Sequence, residues 1–152
     1  MDVFQSQNMK IALREAKGAV LRNEVPVGAV ITNGNTGELI ARASNHVEQL
    51  HDPTAHAEIL AIRKACAVLD KKWLDTCDMY VTLEPCAMCA GAISHARIRR
   101  LYFGAMDFKS GAVENGPRFF NQLTCHHVPE VYGGICEKEA SKLLTEFFRN
   151  IR

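Results

Sequence analysis

The sequence predicts a three-layer α/β sandwich, on three observations. Segments with helical spacing alternate with short apolar runs through most of the chain. Five of those runs read as strands, and no repeat, linker or low-complexity stretch divides them. A chain of 152 residues also suits one domain, residues 1–152, with one continuous hydrophobic core. Apolar residues make up 47% and charged residues 23%, ordinary globular values that exclude disordered and fibrous classes. The net charge of +1 means that any nucleic-acid contact must come from a local patch.

Met9, Ala12, Leu13, Ala16 and Val20 recur at helical spacing and predict a first amphipathic helix. Gly28-Ala29-Val30-Ile31 reads as a strand. Asn33, Gly34, Asn35 and Gly37 form a turn cluster, and Glu38 to Ala43 gives the returning strand of a hairpin. Asp52-Pro53-Thr54 predicts a helix start, with a capping oxygen followed by a proline whose missing N–H matters least in the first turn. The helix that follows is expected to bury Ile59, Ile62, Cys66 and Leu69. Met79 to Leu83 is the next strand, and Pro85 opens a helix of small residues, Ala87, Ala90, Gly91 and Ala92. Arg100 to Gly104 is a fourth strand. Asp107 to Cys125 has no clear period, and Val128 to Tyr132 reads as an edge strand because Pro129 cannot donate to a ladder. Ala140, Leu143, Leu144, Phe147 and Ile151 mark a last helix.

Polar and charged residues interrupt the first fifteen positions, so a secretory leader is not expected, and no stretch approaches the roughly 20 apolar residues of a membrane span. A cytoplasmic address follows as an expectation. In that reducing setting the six cysteines read as metal ligands or core residues rather than disulfides.

Two stretches carry chemistry: His56-Ala57-Glu58 and Pro85-Cys86-Ala87-Met88-Cys89. Cys86 and Cys89 are three apart and so share a helix face, and zinc accepts two thiolates with an imidazole readily. Helix N-termini favour negative charge, which eases both thiolates. Three protein ligands leave a fourth position for water, the mark of a catalytic zinc, and Glu58 is the natural proton shuttle. There is one tension. Residues two apart in a regular helix point roughly 200° away from each other, so either the turn at His56 is irregular or the Glu58 side chain curls back.

His-x-Glu joined to Pro-Cys-x-x-Cys is the established signature of zinc-dependent base deaminases, so the match is recognition rather than deduction. The likeness runs through Glu24-Val25-Pro26-Val27-Gly28-Ala29-Val30, Asn45, His51-Asp52-Pro53-Thr54-Ala55-His56-Ala57-Glu58 and Tyr80 to Ala92. Phe103-Gly104-Ala105, Asp107, Lys109, Gly111-Ala112 and Phe147-Phe148-Arg149 extend it over nearly the whole chain. On these residues the chain resembles the bacterial tRNA-specific adenosine deaminases, within the cytidine/deoxycytidylate deaminase-like zinc superfamily. The resemblance implies a three-layer α/β/α sandwich around a five-stranded mixed sheet. It implies one zinc per chain on His56, Cys86 and Cys89, with Glu58 moving protons while zinc-bound hydroxide attacks C6 of the wobble adenosine. It further implies that Asn45 hydrogen-bonds the flipped purine, that Asp107 lies near the substrate ribose and backbone, and that a homodimer binds the tRNA anticodon stem-loop. The chain departs from the family pattern at the Asn33–Gly37 turn and across Val113 to His126.

Plainer readings stand beside these. Asn45 and Asp107 could be loop residues bonding their own backbone. Cys125-His126-His127 could be a second metal site or ordinary packing. Arg97, Arg99 and Arg100, and Lys138, Lys142, Arg149 and Arg152, could be solvated faces or phosphate contacts. Phe148 could stack on a base or simply pack. The rival functions are a deaminase of a free base or nucleotide, such as guanine or deoxycytidylate, and a zinc-stabilised RNA-binding module.

Overall fold

The computed structural model describes residues 3–151. Met1, Asp2 and Arg152, the last a member of the C-terminal basic cluster, lie outside the described residues. Five strands form one mixed sheet in the order β2-β1-β3-β4-β5. They are β1 (Gly28–Asn33), β2 (Leu39–Ser44), β3 (Cys77–Leu83), β4 (Arg100–Ala105) and β5 (Glu130–Tyr132). β1 runs antiparallel to both β2 and β3, while β3, β4 and β5 are mutually parallel. The expected edge strand is the last one, and Pro129 sits just before it, where its missing N–H breaks no ladder bond.

The helices are α1 (Val3–Val20), α2 (Val47–Leu50), α3 (Ala57–Leu69), α4 (Ala87–Ala96) and α5 (Glu137–Asn150). Strand alternation divides the core between two faces. Val30, Tyr80 and Tyr102 meet Met9, Ala12 and Leu13 of α1 and Ala140 of α5. Ala29, Ile31, Met79, Val81, Leu101 and Phe103 meet Ala57, Ala61 and Ala65 of α3 and Ala90 and Ile93 of α4. The result is the three-layer arrangement. At Gly28 a Cβ would collide with the backbone carbonyl of Ala12, so only glycine lets α1 cross β1 this closely.

Three local expectations are corrected. First, α3 begins at Ala57, not at Asp52-Pro53-Thr54. The Asp52 carboxylate accepts from the Thr54 amide (2.9 Å) and hydroxyl (2.7 Å), a local turn that competes with helix capping. Second, the fully buried stripe of α3 is Ala57, Glu58, Ala61 and Ala65. Ile62, Cys66 and Leu69 are only partly buried beside it and Ile59 is half-buried at a surface groove, because alanines let the helix press onto the sheet while larger residues flank the contact. Third, α4 starts at Ala87 with Cys86 as its N-cap, not at Pro85, and Ile151 lies exposed beyond α5. The aperiodic stretch contains a 3-10 turn, Phe119–Asn121, whose Phe120 is buried in the α3/α4 core. No helix among the described residues is long and apolar enough to cross a membrane.

Candidate metal centre and active site

α3 and α4 begin side by side at the end of the sheet where β3 stops and Glu84-Pro85-Cys86 turns into α4. His56 is the N-cap of α3 and Cys86 the N-cap of α4, both in extended backbone (φ −73°, ψ 151° and φ −73°, ψ 176°). Nδ1 of His56 lies 3.4 Å from Sγ of Cys89 and 3.7 Å from Sγ of Cys86. All three ligand atoms fall within 4.8 Å of one another. Tetrahedral zinc with its usual bond lengths needs a nitrogen–sulfur separation of about 3.6 Å, and the two observed values bracket it. One ring nitrogen carries at most one proton and cannot donate to two sulfurs at once, so a shared cation accounts for this donor set better than hydrogen bonds do.

Glu58, in the first turn of α3, is buried (4% exposed). The tension over its direction is resolved by the first of the two alternatives. His56 lies outside the helix, so the 100° step per residue does not operate between His56 and Ala57. Burial raises the Glu58 carboxyl above the ordinary carboxylate range, opposed by a backbone hydrogen bond and by the charge of His56. Hydrogen bonding from the Cys89 thiol holds Cys86 down to about 4, and Cys89 is correspondingly pushed up by that bond and by burial. The hydrogen bond to Cys86 raises the His56 imidazole. The surroundings thus favour the anionic form of Cys86 and the protonated form of Glu58 relative to their ordinary balance.

Asn45 is buried at the end of β2, and its Oδ1 accepts from the Ala57 amide at 3.0 Å. That amide can only donate, so the side-chain orientation is fixed and Nδ2 is left as the available donor. Its backbone is also held: its amide donates to the Val27 carbonyl and its carbonyl accepts from Arg22. Asp107 is half-buried in the loop after β4, where its Oδ1 accepts from the amides of Lys109 (3.1 Å) and Ser110 (3.0 Å). This carboxylate therefore performs the loop-shaping role that is common for Asp in turns.

Sequence reasoning gave no role to two buried carboxylates. Glu84 (2% exposed) accepts five hydrogen bonds, from the amides of Asp107, Val113, Glu114 and Asn115 and from the Asn115 side chain. Burial alone would raise its pKa, but these bonds outweigh it and the carboxyl is lowered. Glu24 (1% exposed) accepts from the amides of Glu48 and Gln49 and so caps α2. The available signal was a charge at the end of an apolar strand, in Thr82-Leu83-Glu84, and beside Val25-Pro26-Val27.

The first basic cluster proves largely structural. Arg99 makes two 2.9 Å bonds to Asp78 and one to the Gly34 carbonyl, Arg100 bonds Glu130 at 2.7 Å, and Arg97 stacks 3.8 Å over Trp73. On α5, Lys142 reaches Glu146 at 3.9 Å, and Lys109 shares a groove with Thr145, Phe148 and Arg149. Phe148 is 40% exposed, which favours a surface role over core packing. Cys125 contacts Ser94 and the His127 carbonyl, and His127 Nε2 bonds the Ile98 carbonyl at 2.6 Å. Among the described residues His56, Cys86 and Cys89 form the one cluster able to hold a metal, so the second metal site is not supported. All six cysteines are free.

Residues 3–105 match the family described as the cytidine and deoxycytidylate deaminase zinc-binding region. A tRNA-specific adenosine deaminase of Agrobacterium fabrum is 56% identical, covering 95% of this chain and 93% of its own. The enzyme of the same name from Aquifex aeolicus is 48% identical with the same two coverages. Among solved structures, one from a study of tRNA:A34 deaminases editing the wobble position superposes with a TM-score of 0.88. It is 56% identical and covers 91% of this chain and 99% of that one. A guanine deaminase from Nitrosomonas europaea gives a TM-score of 0.82 at 26% identity, covering 93% and 83%.

Proposed function

The chain belongs to the cytidine and deoxycytidylate deaminase family, and we propose that within it the chain is a zinc-dependent tRNA adenosine deaminase, converting wobble adenosine to inosine. The reaction is hydrolysis of an amidine C–N bond: water adds at C6 of adenine and the amino group leaves as ammonia. The observation that carries this reading is the His56–Cys86–Cys89 donor set beside buried Glu58, in a chain 56% identical to a tRNA-specific adenosine deaminase over 95% of its length. The free-base reading is not favoured, since the guanine deaminases of Nitrosomonas europaea and Bacillus subtilis are 26% and 35% identical, against 56% for the structure from the tRNA:A34 deaminase study.

His56 through Nδ1 and the two thiolates would hold one zinc, which supplies a water activated to a pKa of about 7. Glu58 takes a proton from the attacking water and passes it to the ring nitrogen, then takes the second proton from the new C6 hydroxyl as it becomes a carbonyl and passes it to the amine, which leaves as ammonia. Its raised affinity for a proton suits that relay. Asn45, its Oδ1 engaged by Ala57, offers Nδ2–H to a purine acceptor. The target base must leave its stack, which is inexpensive in a single-stranded loop.

Residues 1–152 act as one deaminase domain in the cytoplasm, where tRNA is met. Asp107 organises the loop that carries Lys109, and Lys109, Phe148 and Arg149 offer a basic and aromatic groove to the flanking nucleotides. The partner is the anticodon stem-loop, bound by a homodimer. The face suited to self-association is the α3/α4 groove lined by Ile59, Ile62, Ala92 and Ala96.

The test is an ammonia-release and inosine assay on a stem-loop carrying wobble adenosine, with guanine, adenosine and deoxycytidylate alongside. Inosine from the stem-loop alone is the expected result. Turnover of a free base with an untouched stem-loop would overturn the substrate assignment.

A further inference from the structure

The loop 107–115 is joined to the metal-ligating turn by an unusual concentration of bonds. The Glu84 amide donates to the Ala105 carbonyl (2.8 Å), and the Ala112 amide donates to the Pro85 carbonyl (2.9 Å). Between them the Glu84 carboxylate collects its five donors, three of them on Oε2 and two on Oε1. None of the salt bridges among the described residues involves Glu84, so N–H groups alone compensate its buried charge. The loop closes tightly on it. A Cβ at Gly111 would come within 2.7 Å of Glu84 Oε1 and would also collide with the Asp107 carbonyl. The same loop presents Phe108, 85% exposed, and Lys109 to solvent.

We propose that Glu84 is a positioning residue that fixes the substrate-binding loop 107–115 against the Pro85-Cys86 turn, so that RNA contacts and metal ligands share one rigid frame. Cys86 follows Glu84 by two residues, and the Ala112–Pro85 bond and the five bonds to the Glu84 carboxylate link that short segment to the loop rather than to the ligand atoms. The role is therefore in holding substrate, and zinc binding does not depend on it. The inference rests on the tRNA reading for its substrate, but not for the anchoring itself.

The decisive variant is Glu84→Gln, which keeps volume while pointing an NH₂ group at N–H donors in either orientation of the amide. Gly111→Ala is the companion, pushing the loop off from its own side. With the full-length zinc enzyme, we expect about one zinc per chain in both variants. We expect KM for the stem-loop to rise about 10-fold or more with kcat within about threefold, and amide exchange at Val113, Glu114 and Asn115 to accelerate while α3 is unchanged. Combining Glu84→Gln with Lys109→Ala should add less than the two effects apart, because both act through one loop.

An unchanged KM, loss of zinc, or full additivity with Lys109→Ala would overturn the proposal. If Glu84→Gln does not fold, Gly111→Ala decides: unaltered exchange in 113–115 sinks the anchor. If the wild-type enzyme leaves the stem-loop untouched, the substrate reading fails, while exchange in Glu84→Gln still judges the anchor separately.

Discussion

The starts of α3 and α4 solve the same problem with different means. Each delivers a metal ligand from the N-cap, in extended backbone and without a side-chain cap of its own. Beyond that residue they diverge. In α3 the first amide, on Ala57, is taken by Asn45 Oδ1, and the second position is Glu58. In α4 the ligand turn is braced from behind, by the Ala112–Pro85 bond and the Glu84 carboxylate, and the third position is Cys89. The comparison teaches that an N-cap frees a ligand from the helix's angular period, while the first turn decides whether the helix adds a second ligand or an acid–base group. Both helix ends also offer partial positive charge to the thiolates and to Glu58.

The comparison breaks most sharply at the ligands. Cys89→Ala, or removal of the metal by a chelator, should abolish deamination and leave less than about a tenth of a zinc per chain by metal analysis. On the α3 side, Glu58→Gln should keep the zinc and the fold yet lower kcat by about 10³-fold, measured as inosine formed. Retention of zinc in one variant and its loss in the other is what separates the two first turns. A Glu58→Gln enzyme of near-normal rate would remove the distinction.

Asn45 sharpens it further. Asn45→Asp keeps an oxygen for the Ala57 amide but loses the Nδ2 donor, so thermal stability should hold while kcat/KM falls about 10-fold. Asn45→Ala loses both, adding a destabilisation of about 1 kcal/mol in denaturant unfolding, the usual worth of a helix-start cap. Wild-type kcat/KM in Asn45→Asp would limit Asn45 to capping. The smallest effect belongs away from both helices: Arg100→Ala breaks an exposed, solvent-screened ion pair with Glu130 and should leave the denaturation midpoint and the activity essentially unaltered.

Much of this molecule was legible before its structure. Five apolar runs became five strands, within two residues at their ends, because the central strands are covered on both faces and so read as short continuous apolar runs. The candidate metal cluster His56, Cys86 and Cys89 was legible because zinc coordination constrains residue type and spacing, and Glu58 because it completes a recognised signature. Helix starts were less so. Asp52-Pro53 has every local mark of a cap, but the Asp52 carboxylate closes a turn onto Thr54 and the distant Asn45 side chain takes the first amide of the helix, on Ala57. The stripe on α3 was misassigned for a related reason: periodicity finds the large apolar residues, whereas the tightest contact is made by the small ones.

By itself the sequence determined the alternation of strands and helices and singled out His56, Glu58, Cys86 and Cys89, since each depends on residue type and local spacing. Tertiary structure alone decided the rest. It paired Arg99 and Arg100 with Asp78 and Glu130, partners 21 and 30 residues away. It turned Asp107 inward to its own loop, and it gave Glu84 and Glu24 their work as buried acceptors. Hydrogen bonds of that kind join residues far apart in the chain, and what a buried carboxylate does depends on which amides the fold brings to it.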